Sequence, residues 1–209
     1  MPGRVLPPWW SERPVFVIGG GPSLRGHDLE GLRSKGHVLS VNAAAFQVDS
    51  DALFSRDNLF AKRYRTEIAL QAKEREVYLA MDASPEDGPI PGATYLRRDH
   101  NQIVSLDPEA VADGKHSGFG AISLAILKGA RRIVLLGYDL NPPSVRQRSH
   151  WHDTYAPAEV EFGFVHYPTW ARAVDQIAEH LPDGVEVVNA NPQSAVRAFP
   201  FSTYERELA

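Results

Sequence analysis

The chain has 209 residues, 43% of them apolar and 23% charged, with a formal net charge of −4 and a pI near 6.1. That balance suits one globular domain with a sizeable core and excludes a surface built throughout to hold duplex nucleic acid. There is no cysteine, which excludes disulfides and thiolate metal sites. No window reaches the roughly 18 to 20 apolar residues of a membrane span, and Met1 to Trp10 lacks a signal peptide's apolar region, so a cytoplasmic protein is expected.

In chain order, "PPWW" near the start is expected to pack its indoles on the domain rather than on a partner, the alternative reading. Short apolar runs then alternate with amphipathic stretches. The runs Val15–Ile18, His37–Val41, Ala52–Ser55, Glu76–Ala80, Thr94–Leu96, Arg132–Leu136 and Val185–Asn189 predict strands. Helical spacing appears over Pro22–Lys35, Asn58–Lys73, Gly118–Lys128 and Thr169–Leu181. Continuous apolar strands suit parallel pairing with both faces covered. The expectation is a single Rossmann-like three-layer α/β domain with a mainly parallel sheet of about six or seven strands. Met81–Gly92 reads as a loop, and Asn141–Gly163 as a long polar connection, an expected lid or active-site loop.

Chemistry is expected where strands end. "VFVIGGGPSL" runs a strand into Gly19, Gly20, Gly21, Pro22 and Ser23, aiming backbone amides and a helix start at one spot. An anion fits there; the alternative is a merely tight strand-to-helix junction. Leu24 stands where a dinucleotide fingerprint has its third glycine, and no Gly-Lys-Ser/Thr follows. Asn42 follows the second strand and can read a base or ribose edge, or simply stabilise a turn. After the third strand, Arg56 can hold a phosphate bidentately and Asp57 can cap a helix or bind a divalent ion. Ser117 and Gly118 open a second helix, and Asp139 follows the strand Arg132–Leu136.

His150 and His152 on an extended segment put their rings on one side, about 7 Å apart along the chain. Three readings stay open for them: a zinc or manganese site with Asp153 or Asp139, a phosphate contact, or solvated loop residues. His166, before a helix, is the better candidate for a general base, or else a histidine satisfied by a neighbour under the sheet, with His152 as an alternative orienting group. Arg146 and Arg148 can close over phosphates or simply face solvent.

Taken together, "GGGPSL", Asn42, "LFSRDNLF", "SGFGAISLAILKGARRIVLLGYDL", a lone His before a helix, and "VEVVNANPQSAVRAF" resemble the bacterial sialyltransferases that use CMP-sialic acid. The order is also similar to that of archaeal 6-hydroxymethylpterin diphosphokinases, and most of all to phage proteins that begin P-x-W-W. The likeness spans about residues 8 to 202. The sialyltransferase resemblance implies that Gly20, Gly21, Pro22 and Ser23 cradle a nucleotide phosphate, with Asn42, Arg56, Ser117 and Gly118 on the nucleotide. It implies that His166 is the base. Asn141 stands where one of that family's two tyrosines would assist phosphate departure, and Tyr155 is the stand-in. The diphosphokinase resemblance implies instead that Asp57 and Asp139 bind Mg²⁺, or Mn²⁺, beside ATP. The expected ligands are therefore a CMP-type nucleotide sugar or ATP and a hydroxyl acceptor. Nucleic acid is not expected as a partner, self-association into a homo-oligomer stays open, and a phage-associated nucleotide-binding protein without catalysis is the competing class.

Overall fold

The computed structural model describes residues 10–81, 88–141, 150–152, 154–155 and 157–208, with residues 157–164 as backbone. The strands are β1 (Val15–Ile18), β2 (His37–Val41), β3 (Ala52–Ser55), β4 (Glu76–Ala80), β5 (Thr94–Asp99), β6 (Ala110–Ala112), β7 (Arg132–Leu136) and β8 (Glu186–Asn189). They form one sheet in the order β6-β5-β4-β3-β2-β1-β7-β8, and every pairing is parallel. All carboxyl ends therefore share one edge.

The period-two alternation of each strand feeds two apolar layers. On one face, Val15, Val17, Leu39, Val41 and Phe54 pack with α4 (Ser117–Leu127) and with Ala171, Val174 and Ile177 at the end of α5 (Pro157–Gln176) and just beyond it. On the other face, Phe16, Ile18, Val38, Val134 and Leu136 meet Leu24, Leu32 of α1 (Leu32–Lys35) and Leu208 of α6 (Tyr204–Leu208). Further along that face, Leu53, Val77 and Leu79 pack with Phe60 of α2 (Asn58–Arg63) and Ile68 of α3 (Arg65–Gln71). This is the expected three-layer α/β domain. Among the described residues no helix is long and apolar enough to cross a membrane.

Several expected boundaries move. The helix expected over Pro22–Lys35 is a 3-10 turn, Pro22–Leu24, and then α1, because Gly26 and Gly31 sit at φ of 83° and 74° between them. Tyr64, at φ −107° and ψ 28°, splits the Asn58–Lys73 stretch into α2 and α3. The sheet has an eighth strand, β6. The long connection is shorter than expected, since α5 begins at Pro157 and carries Pro168 inside it.

At the amino-terminal edge Trp10 is buried, stacked on His37 with centroids 5.6 Å apart. Its amide donates to the Lys128 carbonyl at 3.2 Å. The Lys128 ammonium lies 5.0 Å from the Trp10 ring centroid and 4.9 Å from that of Tyr78. It also donates to Glu76 Oε2 and Tyr78 Oη, each at 2.7 Å. Burial lowers its pKa, while Glu76 opposes that shift.

Candidate functional site

In an open parallel sheet the crevice for a ligand forms where the strand order reverses, beyond the carboxyl ends. Here that point lies between β1 and β7, the two strands flanking the reversal. An open cleft of about 640 Å³ lies elsewhere, lined by Trp10, His37, Arg75, Glu76 and Lys128 at the amino-terminal edge. In its walls Lys128 is paired with Glu76, and Asp51 with Arg33.

The glycine turn directs most of its polar groups at the protein itself. The Gly19 amide donates to the Leu136 carbonyl and that of Gly21 to the Gly137 carbonyl, each at 2.8 Å. The Ser23 amide donates to Asp139 Oδ1 at 3.1 Å and its hydroxyl to Oδ2 at 2.8 Å. Pro22 has no donor, which leaves Gly20 as the turn's amide outside this set. The carbonyls of Gly20 and Gly19 accept from the Trp151 amide at 3.0 Å and from its indole Nε1 at 3.1 Å. Side chains are absent here because protein atoms fill their space. A Cβ on Gly21 would lie 1.8 Å from Asp139 Oδ2, and one on Gly20 2.5 Å from His150 Cδ2. Asp139 is buried, and burial raises its pKa against the hydrogen bonds from Ser23 and Asn191.

The second amide cluster opens α4. His116 is the N-cap residue and makes no side-chain cap bond, so the first turn of α4 keeps its dipole uncapped from that side. Ser117 Oγ accepts from the Arg56 amide at 3.1 Å. Tyr138 Oη donates to the Gly118 carbonyl at 2.9 Å. The Tyr138 ring lies between the two glycine-bearing segments: a Cβ on Gly19 would sit 3.2 Å from its Cδ2, and one on Gly118 3.1 Å from its Cε1.

Other expected groups are committed locally. The Arg56 guanidinium holds Asp113, Nε to Oδ1 at 2.8 Å, and donates to the Lys115 carbonyl at 2.8 Å. Its fork is on a carboxylate of the same chain. Asp57 caps α2, accepting from the amides of Leu59 at 2.8 Å and Phe60 at 3.1 Å. With Asp139 held by Ser23 and Asn191, the expected metal ligands Asp57, Asp139, His150 and His152 do not converge. Among the described residues no group of three or more His, Asp and Glu side chains could hold a metal ion. Asp153, Arg146 and Arg148 lie outside the described residues.

The structure does gather the loop rings. His150 and His152 have centroids 5.4 Å apart, and Tyr155 lies 4.6 Å from His150 and 5.4 Å from His152. Burial, then the neighbouring His152, lowers the His150 pKa to about 4. Tyr155 Oη accepts from the Ala43 amide at 3.5 Å and from the Asn42 side chain, while burial holds its pKa above the ordinary range. Asn42 has a φ of 51°, in the left-handed region, and its Oδ1 is buried with no hydrogen-bond partner among the described residues.

His166 belongs to a column of rings. It stacks on Trp170 at 5.7 Å with planes 19° apart, and His116 stacks on Trp170 at 5.3 Å and 21°. The column joins the expected base on α5 to the start of α4. His116 is buried, and burial, then the Arg56 charge, lowers its pKa to about 3. Sequence reasoning missed His116, Trp170 and Asp113. The signals present were His116 immediately before "SGFG" and Trp170 four residues after His166, one helical turn away.

No protein-family model matches the chain, and no curated protein matches it. Among solved structures, the chain is similar to the MAf glycosyltransferase from Magnetospirillum magneticum AMB-1, with a TM-score of 0.58 and 16% identity. The likeness covers 95% of this chain and 37% of that one, so the chain spans little more than a third of its neighbour. At that identity the likeness is one of fold: a mainly parallel, Rossmann-like α/β sheet of the kind a glycosyltransferase carries.

Proposed function

We propose that the chain is a nucleotide-dependent transferase, moving a sugar from a CMP-type donor to a hydroxyl acceptor with His166 as base. The observation that carries the reading is the column of His166, Trp170 and His116, in which Trp170 stacks on both the His166 ring and the N-cap residue of α4. A helix start without a side-chain cap from His116 suits a donor phosphate, and an imidazole stacked on the same indole as His116 suits a proton acceptor. Asn42 Oδ1, a buried acceptor, and the neighbouring Tyr155 hydroxyl suit a base or ribose edge at the end of β2. The glycosyltransferase fold of the structural neighbour supports the same class.

In this mechanism the donor phosphate lies at the amides of Ser117 and Gly118, whose partial positive charge stabilises the phosphate as it departs. The phosphate role moves away from Gly19, Gly21 and Ser23, whose amides are engaged within the protein. The diphosphokinase alternative has less support, because Asp139 holds Ser23 with both oxygens and Asp57 Oδ1 caps a helix.

Isothermal titration with CMP, CDP, ATP and GTP, with and without Mg²⁺ or Mn²⁺, tests the reading. Metal-independent CMP binding is expected, together with donor hydrolysis or transfer that His166→Ala abolishes. Binding of none of the four nucleotides removes the reading. Nucleotide binding with no turnover sensitive to His166→Ala favours a binding protein instead.

A further inference from the structure

Trp170 is the middle member of the ring column, stacked with two imidazoles. His166, one helical turn back on α5, stacks parallel to it at 5.7 Å, inside the roughly 6 Å over which an aromatic face attracts a cation. His116, reaching in from the start of α4, stacks at 5.3 Å. Two imidazolium rings on one indole would compete for its electron density. Burial keeps His116 neutral, with a pKa of about 3, so the indole has one cation to serve.

Resting on the reading of His166 as base, we propose that Trp170 is a positioning residue whose indole stabilises the His166 imidazolium formed during transfer. As the acceptor oxygen bonds to the sugar's anomeric carbon, its proton passes to the His166 ring. The bond from that carbon to the phosphate oxygen breaks, and its electron pair leaves with the nucleotide. The positive charge produced on His166 then lies over an aromatic face already held in place. Among the described residues, the titratable and charged groups that act on the column are Arg56 on His116 and Asp139 on Tyr167. Tyr167 packs on Trp170 at 5.7 Å, and burial, then Asp139, raises its pKa to about 12, so it stays neutral through the range in which an imidazole titrates.

The test follows the His166 ring by NMR through a pH titration of the full chain, its signal assigned by loss in His166→Gln. Replacing all tryptophans with mono-, di- and trifluorotryptophan drains the indole face of electron density while nearly preserving its shape. The His166 titration curve is expected to slide toward acid step by step with fluorination. Trp170→Leu should move it by about half a pH unit, the equivalent of one cation–π contact. In a Trp170→Phe background, fluorinating the remaining tryptophans should have no effect. A curve that stays in place across the fluorinated series overturns the proposal, whether or not Trp170→Leu folds. The titration needs no substrate, so a failure to bind nucleotide strikes the transferase reading and leaves this result separate.

Discussion

Ser23 and Asp139 lock the ends of β1 and β7 together, with the Ser23 hydroxyl 2.8 Å from Oδ2 and its amide 3.1 Å from Oδ1. The pair sits at the reversal of strand order, where an open α/β sheet usually receives its ligand. Gly21 is required there by Asp139. Gly21→Ala would place a methyl 1.8 Å from Asp139 Oδ2 and 2.6 Å from the Gly137 carbonyl, where the backbone cannot yield. A destabilisation of about 2 kcal/mol or more is expected in urea unfolding. Gly20→Ala meets only the edge of the His150 ring, so it should cost less and instead displace Trp151, read as a change in tryptophan emission.

Acid should weaken the fold through His116. The unfolded chain takes up a proton near pH 6.5, whereas the buried ring refuses it until about 3. Between those values the unfolded state binds more protons, so stability is full above pH 6.5 and is lost as the pH falls. The loss from this residue by pH 4 is on the order of 3 kcal/mol. His116→Phe keeps an aromatic ring on Trp170 and should flatten the stability profile between pH 4 and 6.5, measured by chemical denaturation at each pH.

Asn42 separates folding from ligand binding. Its φ of 51° favours glycine, which offsets loss of the hydrogen bond to Tyr155, so Asn42→Gly should leave the melting temperature nearly unchanged. The same substitution removes Oδ1 and should weaken CMP binding by about tenfold, the worth of one hydrogen bond. Calorimetry and a thermal melt on one sample check both halves.

Lys128 holds the amino-terminal segment down. Lys128→Ala removes the ammonium from Glu76, Tyr78 and Trp10 together. Glu76 is 44% exposed and regains water, so the cost is expected near 2 kcal/mol rather than that of a stranded buried charge. Trp10 emission should move to the red as its neighbour is lost. Lys128→Met, which keeps the stem, should shift it less.

The strands were legible because their physics is local. Val15–Ile18 and Ile133–Leu136 are apolar without interruption, and only a sheet covered on both faces accepts that. β6 was not legible, since Ala110–Ala112 is three small residues whose strand state comes from pairing with Arg97–Asp99. The start of α5 was hidden by Pro168, which argues locally against a helix that tertiary packing sustains. At the candidate site, glycines after a strand announced a close approach without naming what approaches. The partner proved to be Asp139, far along the chain, and no pattern in "GGGPSL" distinguishes that carboxylate from a phosphate. The fork of Arg56 was open to the same ambiguity, and Asp113 resolves it. His166 could be picked out alone, but its column needed α4 and α5 to pack.

The position of β1 also dictates the order of assembly on a ribosome. Val15–Ile18 finds β2 soon after synthesis, yet its other neighbour, Arg132–Leu136, emerges only once most of the chain has been made. Until then the open flank of β1 presents unpaired amides and carbonyls between fully buried valines, a template for pairing with any nascent chain nearby. A fragment that stops before Arg132 should therefore precipitate, while addition of the last two strands seals the flank and gives a soluble monomer or a defined assembly.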